Sequence, residues 1–420
     1  MKMVEEEVVI VGAGIAGLAT AVALQRLEIR ALVLEKFPCL RASGSAITLF
    51  PNALLALDAL GVAHKLTSLY DPTESGFVTN VETGATQETP FAGNTATGLG
   101  VGPRYVHRKT LLEVLAGELQ TGSIRFSSHI DAIETQSLEG STIPIIHLSD
   151  GTIIKSKILI GCDGVHSMVA RWLGLGTPVN TGRSCVLGLS VFPDGHGLKQ
   201  EVRQFVAVGR RAGFVPLNDK ETYWFLNCIF SPKEEIMRAE PEVIQRELLE
   251  NYAKDFPEIY KDMIRHSDQS KLIWVPLTFR CPWGIAFGKL RKGNITVAGD
   301  AMHPMTPDLG HGGCAALEDA VVLGRHIGNS IIRNGGLVPG AIAEDLDGYV
   351  EERKWRVTWL AAGSYLSGWI QQGGSNWWMK ILRNVFYNFL FPKLLSVIKH
   401  DCGKLPVVPF SSQVDPKKIE

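Results

Sequence analysis

Glu7-Val8-Val9-Ile10-Val11-Gly12-Ala13-Gly14-Ile15-Ala16-Gly17-Leu18 runs from an acidic start through four apolar residues into three spaced glycines. Four consecutive apolar residues suit a short strand buried on both faces of a parallel sheet. The glycines have separate tasks: Gly12 makes the tight turn, Gly14 admits a pyrophosphate to the backbone, and Gly17 lets helix and strand pack. Helical spacing through Leu18, Val22 and Leu24 leads to a second buried strand, Ala31 to Leu34, which ends at Glu35. Glu35 is placed to accept hydrogen bonds from a ribose, and the helix N-terminus behind the glycines faces the phosphates. Strand, turn, helix and acidic strand end together predict a dinucleotide fold, without separating FAD from NAD.

Outward from this unit, Leu111 to Leu119 reads as a helix, and Ile124 to Phe126, Ile130 to Ile133 and Ile145 to Leu148 read as strands. Asp150-Gly151 is a hairpin turn signal before Thr152 to Ile154. Ile158 to Ile160 is a further buried strand, ending at Gly161-Cys162-Asp163-Gly164. From Val179 to Phe287 the pattern turns to alternating β segments such as Gln204 to Val208 and Tyr223 to Phe230, with one helical insert near Pro241 to Tyr252. Ile295 to Ala298 returns to the buried-strand pattern, and a long helix follows from Gly312 to Asn329. The fold class is therefore α/β, a discontinuous nucleotide-binding domain (1–70, 106–178 and 288–340) with an inserted mixed β-sheet domain (71–105 and 179–287) and C-terminal helices (341–420). Gly98-Leu99-Gly100-Val101-Gly102 follows no clear strand and has the wrong spacing, so a second, permanently occupied dinucleotide domain is not expected.

Composition narrows the classes. The chain has 420 residues, 45% hydrophobic and 20% charged, with a formal charge of -1. That balance excludes nucleic acid as the main partner. Seven cysteines with no C-x-x-C pair fit neither a disulfide framework nor zinc, and point to a reducing, cytoplasmic setting. From the acidic start no targeting peptide is expected, and no apolar run reaches 18 residues. No histidine or carboxylate pair has metal-ligand spacing, so no metal is expected.

A second constellation is Ile295-Thr296-Val297-Ala298-Gly299-Asp300-Ala301-Met302-His303-Pro304, followed by Pro307-Asp308-Leu309-Gly310-His311-Gly312-Gly313. A buried strand ending in Asp300 puts a carboxylate at the carboxyl edge of the sheet, where ligands bind. Glycines then open a helix whose free N–H groups suit an anion. His303, before Pro304 in a turn, reads as structural rather than as a base, and His107 and His311 have no spacing that demands proton transfer.

With these residues the sequence resembles the single-component FAD-dependent monooxygenases, the group of para-hydroxybenzoate hydroxylase, salicylate hydroxylase and zeaxanthin epoxidase, and most of all their plant members. The G-x-G-x-x-G, the Cys162-Asp163-Gly164 segment and the Gly299-Asp300 segment occur in the family's order, flanked by Phe50-Pro51-Asn52-Ala53, Arg108 heading a helix, and Leu317-Glu318-Asp319-Ala320. The likeness spans roughly residues 5 to 365. It makes the nucleotide domain a Rossmann-like FAD-binding domain. It implies that Glu35 binds the adenosine ribose, Arg41 and Arg108 the pyrophosphate region, and Asp300 the ribityl chain, while Asp163 serves FAD and the visiting nicotinamide. By the same likeness Gly12, Ala13, Gly14, Ala16, Gly17, Lys36, Ile130, Pro307, Gly310, Gly312 and Gly313 join the cofactor site. The plant run Pro-Asp-Leu-Gly-Gln-Gly-Gly-Cys has a Gln where this chain has His311, beside the expected flavin ring. Titration of that imidazole near its ordinary value of about 6.5 is expected to tune reduction.

The activity implied is NAD(P)H- and FAD-dependent monooxygenation: one oxygen atom of O2 passes through a flavin hydroperoxide to an apolar or aromatic small molecule. An FAD-dependent oxidase and a non-catalytic flavin or ligand sensor remain as alternatives, and no separate catalytic residue is assigned. The substrate is expected over the inserted sheet near Gly213-Phe214-Val215-Pro216 and Trp224. Trp377 to Ile398 is unusually apolar, broken by Pro392-Lys393, and flanked by Lys380, Arg383 and Lys399. It reads as a lid over the substrate chamber, with peripheral contact to an anionic membrane as the second reading.

Overall fold

A computed structural model describes residues 2–41, 44–91, 102–138, 141–229, 234–373, 377, 381–382, 385 and 399–408. Its first sheet carries the strands Arg291–Lys292, Ile295–Val297, Thr152–Gly161, Lys2–Val11, Ala31–Leu34 and Ile124–Arg125, in that spatial order. The last five run parallel. Val8, Val9 and Ile10 at its centre are wholly buried, because the helices Ile15–Arg26 and Gly312–Asn334 pack against each other over the sheet. Strands Ile130–Leu138 and Ser141–Leu148 extend it as an antiparallel ribbon.

The second sheet is mixed, with the order Ile273–Phe279, Val179–Val191, Glu221–Cys228, Arg210–Pro216, Glu201–Ala207, Ser75–Asn80 and Thr86–Pro90. Its single parallel pair joins Glu201–Ala207 to Ser75–Asn80. This is a Rossmann-like α/β fold with a mixed sheet inserted in the chain. The C-terminal helix Pro339–Gln372 packs along the helix Gly312–Asn334 and meets both sheets.

Several boundaries differ from expectation. The first strand starts at Lys2 because its acidic half pairs with Thr152–Ser156. The expected strands at 152–154 and 158–160 are one strand, Thr152–Gly161, whose intervening Ser156 is buried between two half-buried lysines. The single helical insert is several: besides Pro241–Glu247 and the π-helical turn Leu248–Tyr252, Glu258–Arg265 forms a helix. That helix seals one face of the second sheet, where Phe214, Trp224 and Tyr260 are buried together. Phe214 and Trp224 are thus core residues, and the opposite face carries Gly213, Val215, Tyr223 and Phe225. The segment Gly98 to Val101 and nearly all of Trp377 to Ile398 lie outside the described residues. Among the described residues no helix is long and apolar enough to cross a membrane, and no group of side chains is arranged to hold a metal ion.

Candidate cofactor site

Parallel register brings the chemistry together. Val11 stands level with Leu34 and Gly161, and Gly161 with Val297. Four strands therefore end at one edge, and the residues that follow them, Gly12, Glu35, Asp163 and Asp300, line one cleft of about 560 Å³. The same cleft holds Ala13, Gly14, Lys36, Arg41 and Ile130. His129 and Arg171 also line it, although the sequence reading did not name them. Arg171 lies eight residues after Asp163, on the short helix Met168–Trp172, a position visible only once that helix is known.

The glycine turn is shaped by backbone contact. Gly12 has φ +100°, and a Cβ there would come within 2.6 Å of the Cys162 carbonyl oxygen. A Cβ on Gly17 would collide with the Gly12 carbonyl, whereas one on Gly14 would meet nothing within 4 Å. Gly14 also caps the helix Ile15–Arg26 without a side-chain hydrogen bond. The turn therefore presents free backbone N–H groups to open space, as an anion requires. Ala16 and Gly17 are buried behind it. Glu35 accepts from Ala13 N at 2.8 Å and from Phe37 N at 3.0 Å, so its carboxylate is fixed across the turn. Arg41 is exposed and lies over the Phe37 ring, 4.7 Å from its centroid.

Asp163 accepts from Ser167 Oγ and, at 2.6 Å, from Met168 N, so it caps the short helix as it lines the cleft. Burial pushes its carboxyl up despite those bonds. Asp300 sits in the strand-end turn, open to solvent from the cleft yet closely surrounded by protein. Burial raises its carboxyl, while His303 and Arg108 act in the opposite direction. Arg108 has a buried Nε with no hydrogen-bond partner; it does not line the cleft itself but lies in electrostatic reach of Asp300, which does. The turn needs Gly299 in the left-handed region, φ +59°, with Ala16 Cβ only 2.7 Å from where its own Cβ would be. Gly312 packs near Asp300 Oδ1, while Pro307, Gly310 and Gly313 shape the next turn outside the cleft.

That next turn carries His311. Its ring stacks on Phe50 at 4.5 Å and 15°, and its Nδ1 lies 2.6 Å from the Leu309 carbonyl. A carbonyl only accepts, so Nδ1 bears the proton and the buried, unpartnered Nε2 is a lone pair. Burial pushes this imidazole below its ordinary range, which corrects the expected titration near 6.5. His303 is wholly buried on Asp319, 2.6 Å away, as a structural histidine. His107 joins Tyr70 Oη at 2.8 Å and Glu221 at 3.3 Å.

Sequence reasoning quoted Glu318 and Asp319 only as part of a family segment and did not foresee the charged cluster they form beneath the site. Glu318 and Asp319, wholly buried, meet Arg353, Arg356 and Asn52. Burial alone would raise Glu318, but Arg353 and Arg356 overcome it and hold its carboxyl at about 2. The signal available was an acidic pair inside an otherwise apolar helical stretch.

The donors, the open glycine turn and the orphan Arg108 Nε fit a dinucleotide with a charged pyrophosphate, and comparison with known proteins agrees. The model of the family described as FAD binding domain matches residues 5–362. Monooxygenase 2 of Arabidopsis thaliana is 41% identical over 409 residues, 95% of this chain and 98% of that one. Monooxygenase 1 of the same plant is 36% identical over 96% of this chain and 100% of that one. The solved structure of Klebsiella pneumoniae HpxO complexed with FAD and uric acid shares the fold, with TM-score 0.79 at 23% identity, covering 95% of this chain and 98% of that one.

Proposed function

The chain belongs to the FAD binding domain family and is an FAD-dependent monooxygenase, and from that premise we propose which residues serve the cofactor and what kind of substrate is oxidised. The observation that carries the reading is the row of four strand ends opening into one cleft, with the guanidinium of Arg108, whose buried Nε has no hydrogen-bond partner, in electrostatic reach of Asp300. In this reading Glu35 holds the adenosine ribose, and the N–H groups from Gly14 onward that open the helix, together with Arg41 and Arg108, hold the pyrophosphate. Asp300 holds the ribityl hydroxyls. Asp163 faces both FAD and the nicotinamide of NAD(P)H, the external reductant. Lys36 and Ile130 flank the adenosine end, and the turn Pro307, Gly310, Gly312 and Gly313 frames the ring. Once bound and reduced, FAD supplies the oxygen-activating chemistry; the protein binds, orients and keeps water out.

The domain assignment follows the same logic: residues 1–70, 106–178 and 288–340 form the FAD domain, and 71–105 and 179–287 the substrate domain. The substrate is an apolar or aromatic molecule lying between the open face of the second sheet and the Phe50–His311 pair. Tyr223 and Phe225 project from that face, with Arg211 over Phe225 at 5.6 Å. Arg211 donates to the Asp308 carbonyl at 2.9 Å, which ties this face to the turn before His311. Burial pushes the Tyr105 hydroxyl up to about 12, so this phenol stays neutral near the Arg211 cation.

The apolar segment after Gly373 is assigned to lid closure over this chamber, supported by its starting point. Gly209 N donates to the Gln372 carbonyl at 3.1 Å, and Arg183 Nε to Gln372 Oε1 at 3.1 Å, beside the second sheet. Peripheral contact with an anionic membrane is the alternative outcome of a chain ending at Gly373. Loss of liposome binding with normal coupling supports the membrane, and excess hydrogen peroxide supports the lid. A cytoplasmic setting accompanies this reading, supported by seven unpaired cysteines.

The assignment is tested on the purified full chain. It should release FAD rather than FMN on denaturation, and aromatic compounds should accelerate its NAD(P)H consumption. Arg108→Ala should weaken FAD binding about 10- to 100-fold, the value of a charge-assisted contact. FMN release, or unchanged FAD affinity in that variant, would overturn it.

A further inference from the structure

Two side chains of the C-terminal helix Pro339–Gln372 reach the turn that carries Asp300. Tyr349 and Arg353 are one helical turn apart and both are buried. Tyr349 Oη donates to the Val297 carbonyl at 3.1 Å, on the strand that leads into the turn. Arg353 Nε donates to Asp319 Oδ1 at 2.7 Å. The other oxygen of Asp319 accepts from Gly299 N at 2.8 Å and from His303 Nε2 at 2.6 Å. Asp319 therefore clasps the turn on both sides of Asp300, and Arg353 fixes Asp319. The same guanidinium donates to Glu318 at 2.6 Å, and Glu318 accepts from Asn52 at 2.6 Å, in the helix that begins after Phe50.

Each contact excludes a simpler role. Two adjacent buried carboxylates repel unless a cation bridges them, and a planar fork reaches both while an ammonium reaches one. Burial works against the charge on Arg353, yet Asp319 and Glu318 raise its pKa above the ordinary value. The cation is therefore permanent. Asp300 has no comparable fixing of its own; its place depends on Gly299 and His303, the two groups that Asp319 holds.

We propose that Arg353, assisted by Tyr349, is a positioning residue for the cofactor: through Asp319 it fixes the Gly299–Asp300 turn and so the depth at which the Asp300 carboxylate stands in the cleft. The inference rests on the reading that Asp300 holds FAD. It differs from a mere anchoring of the C-terminal helix, because an anchor would affect FAD independently of Asp300.

A double-mutant cycle read as FAD affinity of the full-length apoprotein separates these roles. Asp300→Ala should weaken FAD about 10- to 100-fold, Arg353→Met about 10-fold and Tyr349→Phe about 3-fold. Arg353→Lys should fall between wild type and Arg353→Met, since it restores charge but not the bridge. In the Asp300→Ala background, Arg353→Met and Tyr349→Phe should each add less than about 2-fold. If their losses remain full in that background, Arg353 is an anchor and the inference fails alone. Unchanged FAD affinity in Asp300→Ala would overturn the premise, and the inference with it. Should Arg353→Met not fold, Tyr349→Phe, which removes one hydroxyl, decides by the same cycle.

Discussion

The two turns that meet at the cleft, Gly12 to Gly17 and Gly299 to His303, are both strand ends followed by glycine, yet they are held by different forces. The first is fixed by backbone packing: Gly12 N on the Leu34 carbonyl at 2.8 Å, and Gly17 pressed on Gly12. The second is fixed by charge, through Asp319 and Arg353 contributed by two later helices. Packing of this kind responds to an added methyl group and ignores pH; a buried ionic clasp responds to pH as well, although Gly299 in the second turn leaves no room for a methyl group either. The difference shows how one fold can make its nucleotide end rigid locally and its reactive end dependent on the whole C-terminal half.

The largest separation should come from acid. The Glu318 carboxyl is held at about 2, against an ordinary 4.5. A carboxyl depressed on folding stabilises the protein fully above its unfolded value, and that contribution is lost as pH falls from 4.5 towards 2. At 1.36 kcal/mol per unit, about 3 kcal/mol is at stake. Asp319, also held below its ordinary value by His303 and Arg353 against burial, extends the loss in the same direction. Urea unfolding at pH 7, 4 and 3 should show a steeper acid decline for wild type than for Glu318→Gln, which starts less stable but lacks this titration. Parallel declines would mean that the clasp is not ionic.

Added volume should break the first turn instead. Gly17→Ala puts a methyl group on the Gly12 carbonyl, at a cost of about 1–3 kcal/mol of stability and with loss of FAD. Gly14→Ala, whose methyl group meets nothing within 4 Å, should keep stability within about 1 kcal/mol and lose FAD affinity by obstructing the approach to the backbone. Thermal unfolding and FAD titration of the two variants read the two effects separately. Equal destabilisation by both would show that the turn is not packed as described.

The same contrast explains what the sequence disclosed. The first turn was legible because strand, glycines, helix and Glu35 lie within one short stretch with local periodicity. Gly299 and Asp300 were legible for the same reason. Asp319 was legible only as part of the Leu317-Glu318-Asp319-Ala320 segment, without a role, and Tyr349 and Arg353 were not legible at all, since nothing local on a helix says that such residues face inward. Phe214 and Trp224 failed differently. Alternation separates the two faces of a strand but does not tell which is the core, and the helix Glu258–Arg265 that decides it was unrecognised.

The smallest effect belongs to His311, which stands where the two turns converge on the ring end of the site. Burial keeps its imidazole below the ordinary range, with Nδ1–H on the Leu309 carbonyl and Nε2 as a bare acceptor. A histidine depressed in this way stabilises the fold fully above about 6.5, and that contribution declines as pH falls through its lowered value. Between pH 7 and 8.5 it stays neutral, so flavin reduction by NAD(P)H should show no step assignable to it. His311→Gln keeps a polar group but gives up a stacked ring and replaces the acceptor by an amide that can also donate. Rates should shift by less than about threefold, roughly the low end of the value of one stacked aromatic pair, with the same pH profile above 7. A step near 7 in wild type that vanishes in His311→Gln would mean that Nε2 gains a proton in the working enzyme, and that a further cation joins Arg353 and Arg356 near the charged clasp.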